Sequence, residues 1–194
     1  MKKAAAAKSE QEVSADMLRN SILSAWRTNA RITAHIVAGI PAELWEAKVP
    51  GLPRKTVRML AAHLHNSRCA WIRTLGKEFG LFVPEQVNRF DVTVEQLVLA
   101  LGRSGEGMSR LLEFGCDRGG SIPPAKAYVW RNLPLDVGHV LSYFVAHEGH
   151  HRGQLVMLAR ELGHQFPAAV TNGLWDWTKW ARETRKTNGD ASHS

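Results

Sequence analysis

The chain has 194 residues, slightly long for one compact domain and short for two, and 44% of them are hydrophobic, which is ample for a core. No run of about eighteen apolar residues could span a membrane, and the N-terminal MKKAAAAKSE lacks the apolar segment of a secretory signal. Two cysteines, Cys69 and Cys116, make no disulfide framework and favour a reducing, cytoplasmic location.

The formal net charge of +7 raises the question of nucleic-acid binding. The basic residues are scattered, however, without a run of about five like charges and without a Lys/Arg stripe interleaved with aromatic residues. This pattern is typical of a solvated basic surface. It disfavours a nucleic-acid partner.

Hydrophobic periodicity of three and four predicts four main helices. They are expected at about residues 16–39, 55–76, 93–114 and 136–163. Asp136 is a good N-cap for the fourth helix, and Asp91 or Thr93 could cap the third. No segment alternates with the period of a β-strand.

The segments between these helices are rich in proline and glycine and are predicted to be irregular connections. They cover residues 41–53, 77–92 and 115–134. The sequence therefore predicts an all-α four-helix bundle with a long crossover before the fourth helix. GLWDWTKW, 173–180, predicts a short C-terminal aromatic helix. Residues 13–184 are expected to form one domain, with disordered tails at 1–12 and 185–194.

The stretch AHEGHHRGQ, residues 146–154, concentrates histidines in a core-facing part of the fourth helix. His147 and His151 are four residues apart, so they can point at one spot, as a divalent transition metal requires of its ligands. His63 lies near the core face of the second helix and could supply a third imidazole. His65, about 200° around that helix from His63, is a competing candidate. His150 either lines the same pocket or is solvated.

Three stretches carry a resemblance to a known family. HEGHHRGQL, 147–155, resembles the signature of the DinB/YfiT-like metal-binding four-helix bundles. AAHLHNSRCAW, 61–71, is similar to the histidine segment of that family's second helix, and GLWDW, 173–177, resembles its C-terminal aromatic stretch. The order of elements agrees over about residues 15–180.

The resemblance implies a metal held by one histidine of the second helix and two of the fourth, which are here His63, His147 and His151. Three neutral imidazoles leave the +2 charge of the ion uncompensated and one coordination position open, as in catalytic sites. Zinc suits this ligand set best, with nickel, iron and manganese as alternatives. Three amides are expected either to accept a hydrogen bond from the second ring nitrogen of a ligand imidazole, as outer partners, or to have ordinary packing and surface roles. They are Asn29, Asn66 and Gln154.

The family resemblance also implies metal-dependent enzymes, some of which use small cytosolic thiols such as bacillithiol or mycothiol, and homodimers formed through bundle faces. The predicted function is a thiol-dependent, transferase-like enzyme that activates a thiol or water nucleophile for a small-molecule substrate. The alternative from another class is a non-catalytic metal-binding stress-response protein. The pocket rim is expected in the irregular segments 77–92 and 115–134.

HEGHH also satisfies the HExxH pattern of zinc proteases, in which Glu148 would be the general base. The extended form of that pattern needs glycine and histidine where this chain has Gln154 and Met157, so a protease is disfavoured. A metal-dependent hydrolase that uses Glu148 as its catalytic base remains an alternative. An exposed Glu148 that pairs with Arg152 on the same helix is at least as well supported.

Overall fold

The computed structural model describes residues 10–190. Within that range the elements are α1 Glu10–Ala38, β1 Lys48–Val49, β2 Leu52–Thr56, α2 Val57–Gly76, α3 Val94–Cys116, α4 Val137–Glu161, α5 Ala168–Gly173 and α6 Trp177–Asp190. Single 3₁₀ turns lie at Ala42–Leu44 and Lys77–Phe79. None of the helices in this part of the chain is long and apolar enough to cross a membrane.

Helices α1 to α4 form the predicted bundle. Helix α1 packs against α3 and α4, α2 packs against the same two helices, and α5 and α6 pack on α1. The core has two clusters: one lies around Trp26 and Phe144, and the other around Ile36 and Leu64. The prediction of an all-α bundle is confirmed.

Polar side chains predicted from the sequence cap the first turns of α3 and α4. Asp136 accepts a hydrogen bond from the backbone N–H of His139 at the start of α4. Thr93, rather than Asp91, caps α3, and it forms a capping box with Gln96. Each cap satisfies backbone N–H groups that have no partner inside the helix.

Thr93→Ala is expected to lower the free energy of unfolding by about 1 kcal/mol, because it removes the acceptor for the N–H of Gln96. Urea denaturation followed by circular dichroism measures the change. Thr93→Ser keeps the hydroxyl and should unfold at nearly the same urea concentration as the parent protein. Equal losses in the two variants would contradict a capping role for Thr93.

A small antiparallel hairpin, β1–β2, lies in the segment predicted to be an irregular connection. Its turn is Pro50-Gly51, and Gly51 has φ of 73°, as the third position of a type II turn requires. Both strands are largely exposed, so apolar alternation could not reveal them. Thr56 ends β2 and caps α2, which therefore begins at Val57 rather than at Lys55.

Both terminal helices extend into the predicted tails. Helix α1 begins at Glu10, so residues 10–12 are helical, and α6 continues to Asp190. Residues 12–15 of α1 are exposed, which explains why no apolar stripe marks this part of the helix. The remainder of the predicted disordered tails, 1–9 and 191–194, lies outside the described residues.

The aromatic stretch 173–180 is not a single helix, because it contains the junction of α5 and α6. Asp176 accepts a hydrogen bond from the N–H of Lys179 and so helps to begin a new helix after the break. Trp180 is buried, with its indole N–H 2.7 Å from the carbonyl oxygen of Gly173. Its ring also contacts His35 of α1, which attaches this segment to the bundle.

Candidate metal centre and adjoining cavity

Three histidines, His63 from α2 and His147 and His151 from α4, come together on one side of the bundle. One ring nitrogen from each lies within 4.8 Å of the other two. The ring centroids are 5.3 Å apart for His63 and His147, 4.7 Å for His63 and His151, and 4.6 Å for the α4 pair. The structure thus brings together the three side chains that the sequence singled out.

The orientation of His151 fits a metal ligand. Its Nδ1 lies 2.7 Å from Oε1 of Gln154, so Nδ1–H donates to the amide oxygen and Nε2 carries the lone pair. That Nε2 lies 3.2 Å from Nε2 of His147. A neutral His147 with its proton on Nε2 donates to this lone pair, and a cation bound by both nitrogens takes the place of that proton. Ligand nitrogens of a tetrahedral zinc ion lie about 3.3 Å apart, so the pair suits a shared cation.

All three imidazoles are held in the neutral form that metals require. Burial is the main cause in each case. It lowers the pKa of His147 to about 4, and positive charge on His151 or His63 lowers this pKa further. Burial also lowers the pKa of His63 and that of His151. Each imidazole of the cluster therefore takes up a proton less readily than a free histidine does, which favours metal binding at neutral pH.

Neither competing histidine belongs to the cluster. His65 is fully buried, with Nε2 2.9 Å from the carbonyl oxygen of Glu85 and 3.3 Å from Sγ of Cys69. The 77–92 segment therefore engages His65 and leaves His63 at the solvent edge. His150 is exposed and reaches the cluster only through a ring contact with His151.

Of the three amides predicted as outer partners, only Gln154 contacts an imidazole of the cluster. Asn66 bonds in both directions with the backbone of Val87, which fastens the 77–92 segment to α2. Asn29 donates to Glu148 at 2.9 Å. The outer-partner interpretation is therefore wrong for Asn29 and Asn66, because their amides are used in other contacts.

Glu148 is neither exposed nor available as a base. Its side chain is buried between helices, and Arg68 donates to it twice, from Nε to Oε1 at 2.6 Å and from Nη2 to Oε2 at 2.8 Å. Oε2 also accepts from the hydroxyl of Thr33 at 2.7 Å and from Asn29. The predicted exposed position is wrong, but the predicted pairing with Arg152 is present, with Nη1 of Arg152 3.8 Å from Oε2. The general-base role gains no support, because the donors from Arg68, Thr33 and Asn29 occupy both oxygens.

The same ion-pair network connects all four bundle helices. Arg152 of α4 donates from Nη1 to Asn29 and Thr33 of α1, and burial lowers the pKa of Arg152. Arg68 of α2 donates to the carbonyl oxygen of Leu101 on α3 and lies over the ring of Trp26. Sequence reasoning missed Arg68. The available signal was its position four residues after the core residue Leu64, where a cation must find a buried partner.

A cavity of about 530 Å³ opens beside His63 and His151. It is bounded by the β1–β2 hairpin, α2 and α4. Six of its thirteen described lining residues are apolar: Val49, Leu52, Met59, Leu60, Met157 and Leu158. Of the two segments predicted to form the rim, 77–92 contributes Arg89, whereas 115–134 contributes none of the described lining residues. The β1–β2 hairpin, which was not predicted, lines the cavity in its place through Val49, Leu52 and Lys55.

The 115–134 crossover reaches the site from another direction, through a set of aromatic rings. Tyr143 stacks on His147 with 6.0 Å between ring centroids, and Trp71 packs against Tyr143 at 5.4 Å. Trp130 of the crossover lies on Trp71 at 6.4 Å and remains 65% exposed. These contacts restrict the ring of His147, whose buried Nδ1 has no hydrogen-bond partner among the residues that the structure describes.

The model of the DinB family matches residues 125–186, about a third of the chain, which include His147, His151 and the aromatic stretch. This match supports the predicted DinB-like resemblance over that segment, which does not include His63. No curated protein and no solved structure gives a significant match.

Proposed function

We propose that this DinB-like chain is a metal-dependent enzyme that activates a thiol or water nucleophile for a transfer reaction on a small molecule. His63, His147 and His151 are the metal ligands in this proposal. The observation that carries it is the convergence of three neutral imidazoles beside an open cavity of about 530 Å³. A purely structural zinc site has four protein ligands and needs no cavity.

A divalent ion at this position would supply a Lewis acid with a coordination site left for a small ligand. Zinc fits the three-imidazole set best, and nickel, iron or manganese are alternatives. The protein's own contribution is orientation. Gln154 sets the tautomer of His151, and stacking on Tyr143 holds the ring of His147.

Within the described residues 10–190, the cavity beside the histidines has no carboxylate next to them that could act as a base. The carboxylate of Glu148 is occupied in the ion-pair network. Among the described residues that line the cavity, Glu161 is the one carboxylate, and it lies about 15 Å along α4 from His151. A nucleophile in this proposal therefore loses its proton through binding to the metal, as a thiol or a water molecule can. A hydrolase that depends on Glu148 as its base is disfavoured.

The purified protein is expected to hold about one equivalent of divalent metal per chain, since the described bundle has one three-histidine cluster. Elemental analysis measures this stoichiometry. Zinc-loaded protein should then accelerate conjugation of a low-molecular-weight thiol to an electrophile. Chelation with EDTA should abolish the acceleration, and added zinc should restore it.

The matched control replaces the thiol with ester or amide substrates in the same buffer. Faster ester or amide hydrolysis without any thiol reaction would favour the hydrolase alternative. One bound equivalent without turnover in either assay would favour the non-catalytic metal-binding protein. Absence of bound metal after incubation with zinc would contradict the proposal altogether.

A further inference from the structure

The cavity beside the histidines has more cationic than anionic groups on its wall. Lys55 of β2 and Arg89 of the 77–92 segment are cationic, and Glu161 is the one acidic residue among the described lining residues. Neither Lys55 nor Arg89 forms an ion pair with a carboxylate in the part of the chain that the structure describes. Lys55 and His63 line the same cavity.

Six of the other lining residues are apolar, and some of them reach solvent at the cavity mouth. Met157 is 62% exposed and Leu52 is 55% exposed, although both have side chains that folding normally removes from water. Met59 and Leu158 are buried behind them. Exposed apolar side chains around a concave site are typical of ligand-binding surfaces.

We propose that the cavity binds an organic carboxylate with an apolar body, whose anionic group lies between Lys55 and Arg89 and whose body lies against Met157 and Leu158. The volume of about 530 Å³ is within the range of small-ligand sites. This inference rests on the proposed function, because it takes the cavity as the place where the substrate of the three-histidine site binds. It adds the chemical class of that substrate.

The inference is tested on EDTA-treated protein, so that binding to a metal ion does not contribute. Octanoate is titrated at neutral pH, and octylamine, which has the same chain with the opposite charge, is the comparison ligand. Octanoate is expected to bind about tenfold more tightly or better, as two exposed ion pairs would produce. Calorimetry measures both affinities, and the imidazole NMR signals of His63 and His151 should shift with octanoate.

Variants separate the cavity from the general basic charge of the protein. Lys55→Met should weaken octanoate binding about twofold to fivefold, the effect expected for one exposed ion pair. Lys126→Met removes the same charge from an exposed site outside the cavity and should have no effect. Met157→Glu should repel octanoate, whereas Leu99→Glu, at a leucine that is 66% exposed on α3, should not.

Equal affinity for octanoate and octylamine, or equal loss in the Lys55 and Lys126 variants, would overturn the inference. Octanoate binding that leaves the two histidine signals unmoved would overturn it as well. The outcome is independent of the metal experiment. Octanoate binding without metal binding would contradict the proposed function and support the carboxylate site. Metal binding without octanoate binding would contradict only this inference.

Discussion

Glu148→Ala is expected to lower the free energy of unfolding by about 3–5 kcal/mol, which is a large part of the stability of a domain this size. The substitution leaves the guanidinium of Arg68 buried without its carboxylate and removes the acceptor for Thr33 and Asn29. An arginine cannot lose its proton to escape this cost. Chemical denaturation followed by circular dichroism measures the change.

The control for this experiment is Glu106→Ala. Glu106 also pairs with an arginine, Arg110, but both side chains are more than half exposed. Its removal should change the free energy of unfolding by less than about 0.5 kcal/mol. If Glu148→Ala fails to fold, Glu148→Gln keeps the shape of the side chain and should still unfold more easily than the parent. If a folded Glu148→Ala protein lost less than about 1 kcal/mol of unfolding free energy, this result would contradict a buried ion pair between Arg68 and Glu148.

His151→Ala is expected to weaken zinc binding by at least about 100-fold, because loss of even an indirect partner of a metal ligand costs about 10–100-fold. Removing this imidazole leaves two of the three nitrogens that face one another. Competition with a chromophoric chelator measures the affinity. The half-exposed position of His151 should leave the fold intact, which circular dichroism checks.

The neighbouring histidine supplies the matched control. His150 is exposed, lies on the same helix and does not belong to the cluster. His150→Ala should bind one equivalent of zinc with unchanged affinity. If His151→Ala retained its metal under the same competition, His151 would not be a ligand. If His150→Ala lost it, the assignment would have to move from His151 to His150.

Local rules were enough for the helices and for part of the candidate site. The 3.6-residue period predicted the four bundle helices, and the hydroxyl of Thr93 and the carboxylate of Asp136 marked two of their starts. The i,i+4 spacing put His147 and His151 on one face, and the i,i+3 spacing let Gln154 reach His151. These features depend on residues within about one helical turn of one another.

Contacts between distant residues decided the rest. His63 rather than His65 joined the cluster because the 77–92 segment bonds to His65, and nothing local to α2 reveals that contact. Glu148 could not be assigned from α4 alone, since its principal donor, Arg68, is eighty residues away. The hairpin of the cavity wall escaped notice because its strands bury almost nothing. The sequence by itself determined which side chains a helix presents together. Only tertiary packing decided which of them are buried, paired or free to bind.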